Sequence, residues 1–409
     1  MNSRPQVSKH DEKIQEVVRH QSAGQIADAE RVCRSILRAR PSHPKANLLL
    51  GMLLKDQGRA ADAEAAFRRV VTVAPEAIEG HNGLGVVLYN QGKFQQAEAA
   101  FRRALSLDPD SPDTLGGLGG ALFDQGRFAE SIPYYRKSAS LTYGNADSAA
   151  RRGPAAPQKA RHDKEQRDYL NGGNSSAVAA PAFNLEAGER IPGAAVNPDR
   201  SGGEIAAQWR TSSPQVAVLD NLLTDEALAQ LRQFCWRSTI WNRVYENGYL
   251  GSMPEDGFAC PLLVQIADEL RAAYPAILGD HLLTRCWAFK YDSTLTGINI
   301  HADFAAVNVN FWITPDDANL DPESGGLVVW DKPAPLDWSF DEYNNQDSMI
   351  RKFLDQNGAK SVTIPHRANR AAIFDSDLFH ETDRISFKEG YLNRRINITM
   401  LYGLRENAG

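Results

Sequence analysis

Two histidines and an aspartate in this 409-residue chain have the types and spacing to hold a metal: His301-Ala302-Asp303, and His380 further along. A two-histidine, one-carboxylate set suits a six-coordinate metal, above all Fe(II), and leaves three positions for other ligands. Arg395 follows in the run Arg395-Ile396-Asn397-Ile398-Thr399. A guanidinium grips a carboxylate through two parallel hydrogen bonds, so Arg395 is suited to hold an organic acid bound at that metal. Side chains alternate across a strand, so Arg395, Asn397 and Thr399 share one face and Arg394 turns to the other. Asn397 adds a donor and Thr399 a hydroxyl, and Tyr291, ahead of the first ligands, is a further hydrogen-bonding candidate. His281 and His366 fall outside the pattern and read as surface or structural residues.

The elements that must position these groups are mostly short strands. An apolar run at 217–223 reads as a strand. Thr224 then caps a helix whose first turn carries Asp225 and Glu226, where the helix dipole favours negative charge. A second amphipathic helix is expected over 261–274. Strands are expected over 286–291, 298–300, 307–313, 326–330, 361–364, 371–374 and 395–402, divided by Gly, Pro, Asn and Asp. That pattern predicts a β-sandwich or jelly roll with helices on one side. His301 follows the run 298–300, and residues two apart on a strand end share a face, so His301 and Asp303 can reach one metal. His380 is expected after the strand 371–374 and a polar turn. Trp312 and Trp330 read as core packing. Trp338 and Tyr343, in a Pro- and Asp-rich insertion over 331–357, are candidate substrate contacts.

The first third repeats itself every 34 residues. Gly24, Gly58, Gly92 and Gly126 keep that spacing, as do Gly51, Gly85 and Gly119, and Pro41, Pro75 and Pro109. Each unit runs Leu-Gly, a turn Gly, a small residue, an aromatic four residues on, then Pro. Ala63, Phe67 and Pro75 serve in one unit, and Ala97, Phe101 and Pro109 in the next. The third unit has Ser131 and Tyr135 and lacks the final Pro. The small residues let antiparallel helices approach, the aromatic fills the groove, and Pro ends a helix it cannot continue. Four helical pairs are expected over residues 10–145, with Asn82, Tyr89, Asn90 and Phe123 as candidate contacts on the inner helices. Residues 146–205, rich in Gly, Ala, Pro, Asn and Ser, read as a partly irregular linker with one charged helix near 157–170.

The net charge of −6 is mild. From residue 206 onward Asp and Glu outnumber Lys and Arg by about three to two, a poor match for gripping phosphate backbones. Cys33, Cys235, Cys260 and Cys286 form no CxxC and read as buried residues of a reducing compartment. The polar opening residues carry no apolar core, and no run approaches membrane-spanning length, so a cytoplasmic protein is expected, with no membrane partner.

The 34-residue pattern resembles the tetratricopeptide repeat, which implies a short all-α solenoid binding a peptide or protein on its concave face. Over about 214–405 the chain is similar to the Fe(II)/2-oxoglutarate-dependent dioxygenases. The resemblance rests on His-x-Asp, a later His and an Arg fifteen residues beyond it. The run 217–228, Tyr291 and Gly297 ahead of His301, and Gly325-Gly326-Leu327 look like the prolyl-hydroxylase type, whereas Arg395-x-Asn397-x-Thr399 is also similar to the alkylation-repair branch. This implies a multidomain chain: the repeat solenoid at 10–145, the linker at 146–205, and a double-stranded β-helix (jelly-roll) oxygenase domain with flanking helices at 206–409. It implies Fe(II) on His301, Asp303 and His380, with O₂ and 2-oxoglutarate as co-substrates and Arg395 on the distal carboxylate. Halogenating relatives replace the carboxylate ligand, so Asp303 favours hydroxylation. The leading expectation is an enzyme that hydroxylates a side chain of a protein or peptide recruited by the repeats. A small-molecule hydroxylase is the alternative; nucleic-acid demethylation is disfavoured by the acidic second half, and a non-catalytic scaffold by the intact set of ligands.

Overall fold

The computed structural model describes residues 9–144, 156–172, 183–198, 202–245, 247–293, 295 and 297–405. The chain divides into two compact units, Met1–Ser138 and Ala139–Gly409.

The first unit is built from helix pairs: α1 (Lys9–Ser22) and α2 (Ile26–Ala39), α3 (Pro44–Asp56) and α4 (Ala60–Val73), α5 (Ile78–Asn90) and α6 (Phe94–Leu107), α7 (Pro112–Phe123) and α8 (Phe128–Tyr143). Each pair turns at a glycine of the repeat. Gly24, Gly58, Gly92 and Gly126 have φ of 71°, 74°, 72° and 76°, a region that side chains with a Cβ avoid. Helices α2, α4 and α6 each stop two residues before a repeat proline, as the restriction on the residue preceding proline requires. Ala29, Ala63 and Ala97 are fully buried where helices cross, and Phe67 and Phe101 fill the space between neighbouring pairs. A Cβ on Gly85 or on Gly117 would lie 2.6 Å from the Phe101 ring, so this ring sits in a slot that two glycines keep open. Among the concave-face candidates, Asn90 is exposed and Asn82 half-buried, while the Tyr89 hydroxyl bonds Asp124. Phe123 is not a surface residue: it is buried and packs edge-on against Phe128 at 4.8 Å.

The second unit holds two antiparallel sheets. Its elements in chain order are α9 (Pro157–Leu170), α10 (Gly202–Thr211), β1 (Val216–Leu219), α11 (Asp225–Arg237), β2 (Arg243–Val244), β3 (Leu250–Ser252), α12 (Pro261–Ala273), α13 (Pro275–Leu278), β4 (Leu283–Lys290), β5 (Val307–Trp312), β6 (Leu327–Pro333), α14 (Phe340–Asn345), α15 (Asp347–Gln356), β7 (Ser361–Ile364), β8 (Ala371–Asp375), β9 (Leu378–Thr382) and β10 (Ile396–Tyr402). The larger sheet runs β1-β8-β5-β10-β4-β3-β2 and the smaller β7-β6-β9. The Thr224 hydroxyl caps α11 by accepting from Ala227 N. Among the described residues no helix is long and apolar enough to cross a membrane, and the four cysteines are buried and form no disulfide.

Much of the segment read as a linker packs within this second unit. In α9, Gln166 donates to the carbonyls of Trp236 and Ser238, at 3.2 and 2.9 Å, and Glu165 pairs with Arg394 at 2.8 Å. The amides of Ala195 and Val196 both donate to the Glu269 carboxylate, at 2.7 and 2.8 Å. Polar contacts dock this segment in both directions, from its own side chains and onto its backbone, and such contacts leave no hydrophobic period in its sequence.

Candidate metal centre

Three backbone bonds hold the His301-Ala302-Asp303 segment to three separate parts of the second unit. His301 N donates to His380 O at 3.0 Å, Ala302 N to Tyr343 O at 3.0 Å, and Asp303 N to Ser376 O at 3.0 Å. His380 N returns a bond to His301 O at 2.8 Å. Residues 298–300 form no strand; His301 joins the smaller sheet only through this isolated bridge. The expected strand before His380 ends at Asp375. His380 instead sits in the middle of β9, after a two-residue turn. The polar turn is where the sequence places it, at Ser376-Asp377, but sequence reasoning missed the strand that follows it.

The three ligand atoms lie within 4.8 Å of one another, in the single such group among the described residues. Each imidazole is oriented by a backbone carbonyl two residues earlier: Nδ1 of His301 lies 2.8 Å from Asn299 O, and Nδ1 of His380 lies 3.0 Å from Leu378 O. A carbonyl only accepts, so Nδ1 carries the hydrogen and Nε2 keeps the lone pair a metal needs. Burial, then the neighbouring His380, lowers the pKa of His301 to about 4, so the ring is neutral near pH 7. Burial alone would raise Asp303, but His380 and the Asn308 carboxamide hold it below its ordinary value. Asn308 Nδ2 donates to Asp303 Oδ2 at 2.6 Å, with both side chains buried. The donor set and its protonation states fit a divalent metal.

Beside the triad the larger sheet supplies a polar row. Asn397 and Thr399 of β10 and Asn308 and Asn310 of β5 line a narrow cleft with His301, Asp303 and His380. Thr399 and Asn310 are register partners, and Asn310 Nδ2 donates to the Thr399 hydroxyl at 3.0 Å. The buried Oδ1 atoms of Asn308 and Asn310 have no partner among the described residues. Sequence reasoning missed both residues. The signal was there: two asparagines two apart inside the apolar run Val307-Asn308-Val309-Asn310-Phe311.

Arg395 lies just before β10, fully buried. Nε and Nη2 donate to the carbonyls of Gly325 and Gly326, at 2.6 and 3.2 Å, and Nη1 to Asn397 Oδ1 at 3.0 Å. The guanidinium rests on the Tyr291 ring at 4.7 Å, with Trp312 at 5.9 Å. Among the described residues no carboxylate pairs with Arg395, whereas Arg394 pairs with Glu165 and Asp292. A buried cation without an anion is costly by several kcal/mol. Arg395 and Tyr291 do not line the cleft themselves; Asn397 stands between. The cleft is about 30 Å³, room for one water, so a larger acid enters only if carboxamide side chains turn aside.

A second cavity of about 470 Å³ shares His301, Asp303, Trp287, Phe289 and Ile298 with the cleft. The insertion lines it through Phe340, Asn344, Asn345 and Asp347. Trp338 and Tyr343, the residues expected there, instead pack with Ile300, Ala302 and Phe379 in an apolar cluster. Of the other candidates, Trp312 is core, Trp330 lies at the edge of that cluster, and His281 is half-buried. His366 is buried against Trp312 and Phe387.

Residues 15–78 and 82–157 match the tetratricopeptide repeat family model. The repeats are therefore present as read, a module suited to protein–protein interaction. Among solved structures, one titled as the crystal structure of MamA protein is 20% identical, covering 41% of this chain and 96% of that one with a TM-score of 0.32. MamA 41-end from Desulfovibrio magneticus RS-1 is 21% identical, covering 32% and 73%, with a TM-score of 0.30. No curated protein matches the chain.

Proposed function

We propose that the second unit is an Fe(II)- and 2-oxoglutarate-dependent dioxygenase and that it hydroxylates a side chain of a protein or peptide recruited by the repeats. On this reading the two antiparallel sheets form a double-stranded β-helix. The observation that carries it is the pairing of a His301, Asp303, His380 cluster with a fully buried Arg395 that has no carboxylate partner among the described residues. Metal-ligand clusters occur in many folds. A buried guanidinium beside one asks in addition for an anionic organic ligand.

His301, Asp303 and His380 would hold the iron through two Nε2 atoms and a carboxylate. Together, Fe(II) and 2-oxoglutarate supply the power to oxidise a C–H bond with O₂, releasing succinate and CO₂. The protein's part is binding, orientation and exclusion of water. Asn308 fixes the Asp303 carboxylate by donating to it. Arg395, reached as Asn397 turns, would take the distal carboxylate, with Thr399 and Tyr291 as further hydroxyl partners. The Leu327 side chain and the Phe289 and Trp287 rings keep the cleft apolar on its other walls, which strengthens every charge interaction inside it.

A second reading, a small-molecule hydroxylase, is favoured by the 470 Å³ cavity, which lies in the range of metabolite sites. Purified full-length protein supplied with Fe(II), 2-oxoglutarate and O₂ separates the two. Cell-extract proteins gaining one oxygen atom in an Asp303-dependent way support the proposal. Succinate formation driven equally by free amino acids and by proteins supports the second reading.

A further inference from the structure

The larger cavity has a wall chemistry of its own. Six aromatic residues line it: Tyr245, Tyr249, Trp287, Phe289, Phe304 and Phe340. The Arg285 guanidinium already lies over the Phe304 ring at 5.6 Å, and Tyr249 is stacked against Tyr245 and Tyr291. Three of its carboxamides spend an amide hydrogen on the protein. Asn247 Nδ2 donates to Gly297 O at 3.2 Å, Asn344 Nδ2 to Ala302 O at 3.1 Å, and Asn345 Nδ2 to Asp341 Oδ1 at 3.0 Å. Each keeps its carbonyl oxygen as an acceptor and one further N–H as a donor. Among the described residues, the one carboxylate in the lining besides Asp303 is Asp347, and no lysine or arginine lines the cavity. Asp347 is shared with Arg351, but that guanidinium also pairs with Glu381, at 2.6 Å.

Ring faces, carbonyl oxygens and a carboxylate are all electron-rich. Aromatic faces attract ammonium and guanidinium groups, and carbonyl acceptors satisfy their many N–H donors. Among the described lining residues an anion would meet no lysine or arginine, and it would lose its hydration. The rings also offer apolar area to the methylene stem of a long side chain.

We propose that this cavity is the substrate subsite and that it takes a cationic side chain, lysine or arginine, of a polypeptide segment. The inference rests on reading the neighbouring triad as the oxidising centre, and it names the substrate class for that centre. A polypeptide fits better than a free cation because Asn247 and Asn345 are exposed at the rim, where carboxamides can pair with peptide groups. The repeats supply a second, separate hold on the same chain. Phosphate-bearing substrates are excluded by the sign of the walls.

The test is a binding measurement on the full chain, without iron or 2-oxoglutarate, using fluorescein-labelled peptides of one length. One set carries lysine and arginine; its partner carries glutamate in the same positions. A single-stranded RNA of matched length is the third probe. Fluorescence anisotropy should show a preference for the cationic set of about tenfold or more. The preference should narrow severalfold in Asp347→Lys and in Phe340→Lys; Phe340 is half exposed, so this second variant puts a cation in the wall without disturbing the core. Equal or tighter binding of the acidic peptides or the RNA overturns the proposal. So does a cationic preference that survives both variants, because it would then arise elsewhere on the chain. Failure of the oxygenase reading is a different result, the absence of 2-oxoglutarate consumption.

Discussion

His301 and His380 exchange both backbone hydrogen bonds, at 3.0 and 2.8 Å, as an isolated antiparallel bridge. Their imidazole centroids are 4.3 Å apart. Two candidate ligands distant in sequence thus become neighbours through one residue pair. Pre-set ligands of this kind bind metal without first ordering the chain. His301→Ala in the purified full chain should abolish tight Mn(II) binding, read by titration calorimetry, while circular dichroism stays unchanged.

Asn308 would act on a bound metal through Asp303, as a positioning residue. Asn308→Ala removes the 2.6 Å bond to the carboxylate. Loss of such an outer partner weakens metal affinity by about 10–100-fold. Asn308→His, which can still donate, should recover part of that loss. Unchanged Mn(II) affinity in Asn308→Ala would show that the bond has no such role.

Arg395 should control acid binding more than metal binding. Arg395→Met leaves the Gly325 and Gly326 carbonyls without their donor and removes an unpaired buried charge, so stability should change by no more than about 2 kcal/mol. The affinity of the Mn(II)-loaded chain for 2-oxoglutarate should fall at least about tenfold. Equal 2-oxoglutarate affinity in the two proteins would remove Arg395 from the site.

How much of this was legible beforehand differs between the two halves of the chain. In the repeats, Gly24 through Gly126 and Ala63 with Phe67 announced the helix pairs, because each residue type does one mechanical task at one spacing. The cluster of His301, Asp303 and His380 was legible by order and spacing, as was the position of Arg395 beside Asn397. The polar turn before His380 was legible too, but strand β9 was not, since Leu378-Phe379 is too short an apolar run to read as a strand by itself. Asn308 and Asn310 were hidden inside a strand, and only the meeting of β5 with β10 makes them a polar wall. Residues 183–198 are held in part from α12, where Glu269 accepts from Ala195 and Val196 and Gln265 bonds Ile191 N and Gly193 O, side chains that no pattern within the segment reveals.

The Phe101 slot predicts overpacking. A Cβ on Gly117 would approach the ring to 2.6 Å, and such crowding typically costs about 1–3 kcal/mol. Gly117→Ala should lower the thermal midpoint of the full chain's repeat transition. Adding Phe101→Leu should give back part of the loss, a non-additivity that independent sites would not show.

His366 sets an acid limit. Burial, then Arg395 and Arg370, lowers its pKa to about 3, while the unfolded value is near 6.5. Between those values the unfolded state binds more protons, so stability is full above about pH 6.5 and declines as pH falls toward 3. Neither ring nitrogen has a partner among the described residues, so His366→Leu leaves no bond broken. The variant should unfold at lower pH than the parent in an acid titration followed by tryptophan fluorescence. An unmoved acid midpoint would show that His366 does not carry this dependence.

The central claim is best tested by succinate formation from 2-oxoglutarate in purified full-length protein with Fe(II) and O₂, compared with Asp303→Ala. The account predicts metal-dependent succinate in the parent and none above background in the variant, with both proteins folded. Absence of succinate in an iron-loaded parent, or equal formation in the Asp303→Ala protein, would contradict it.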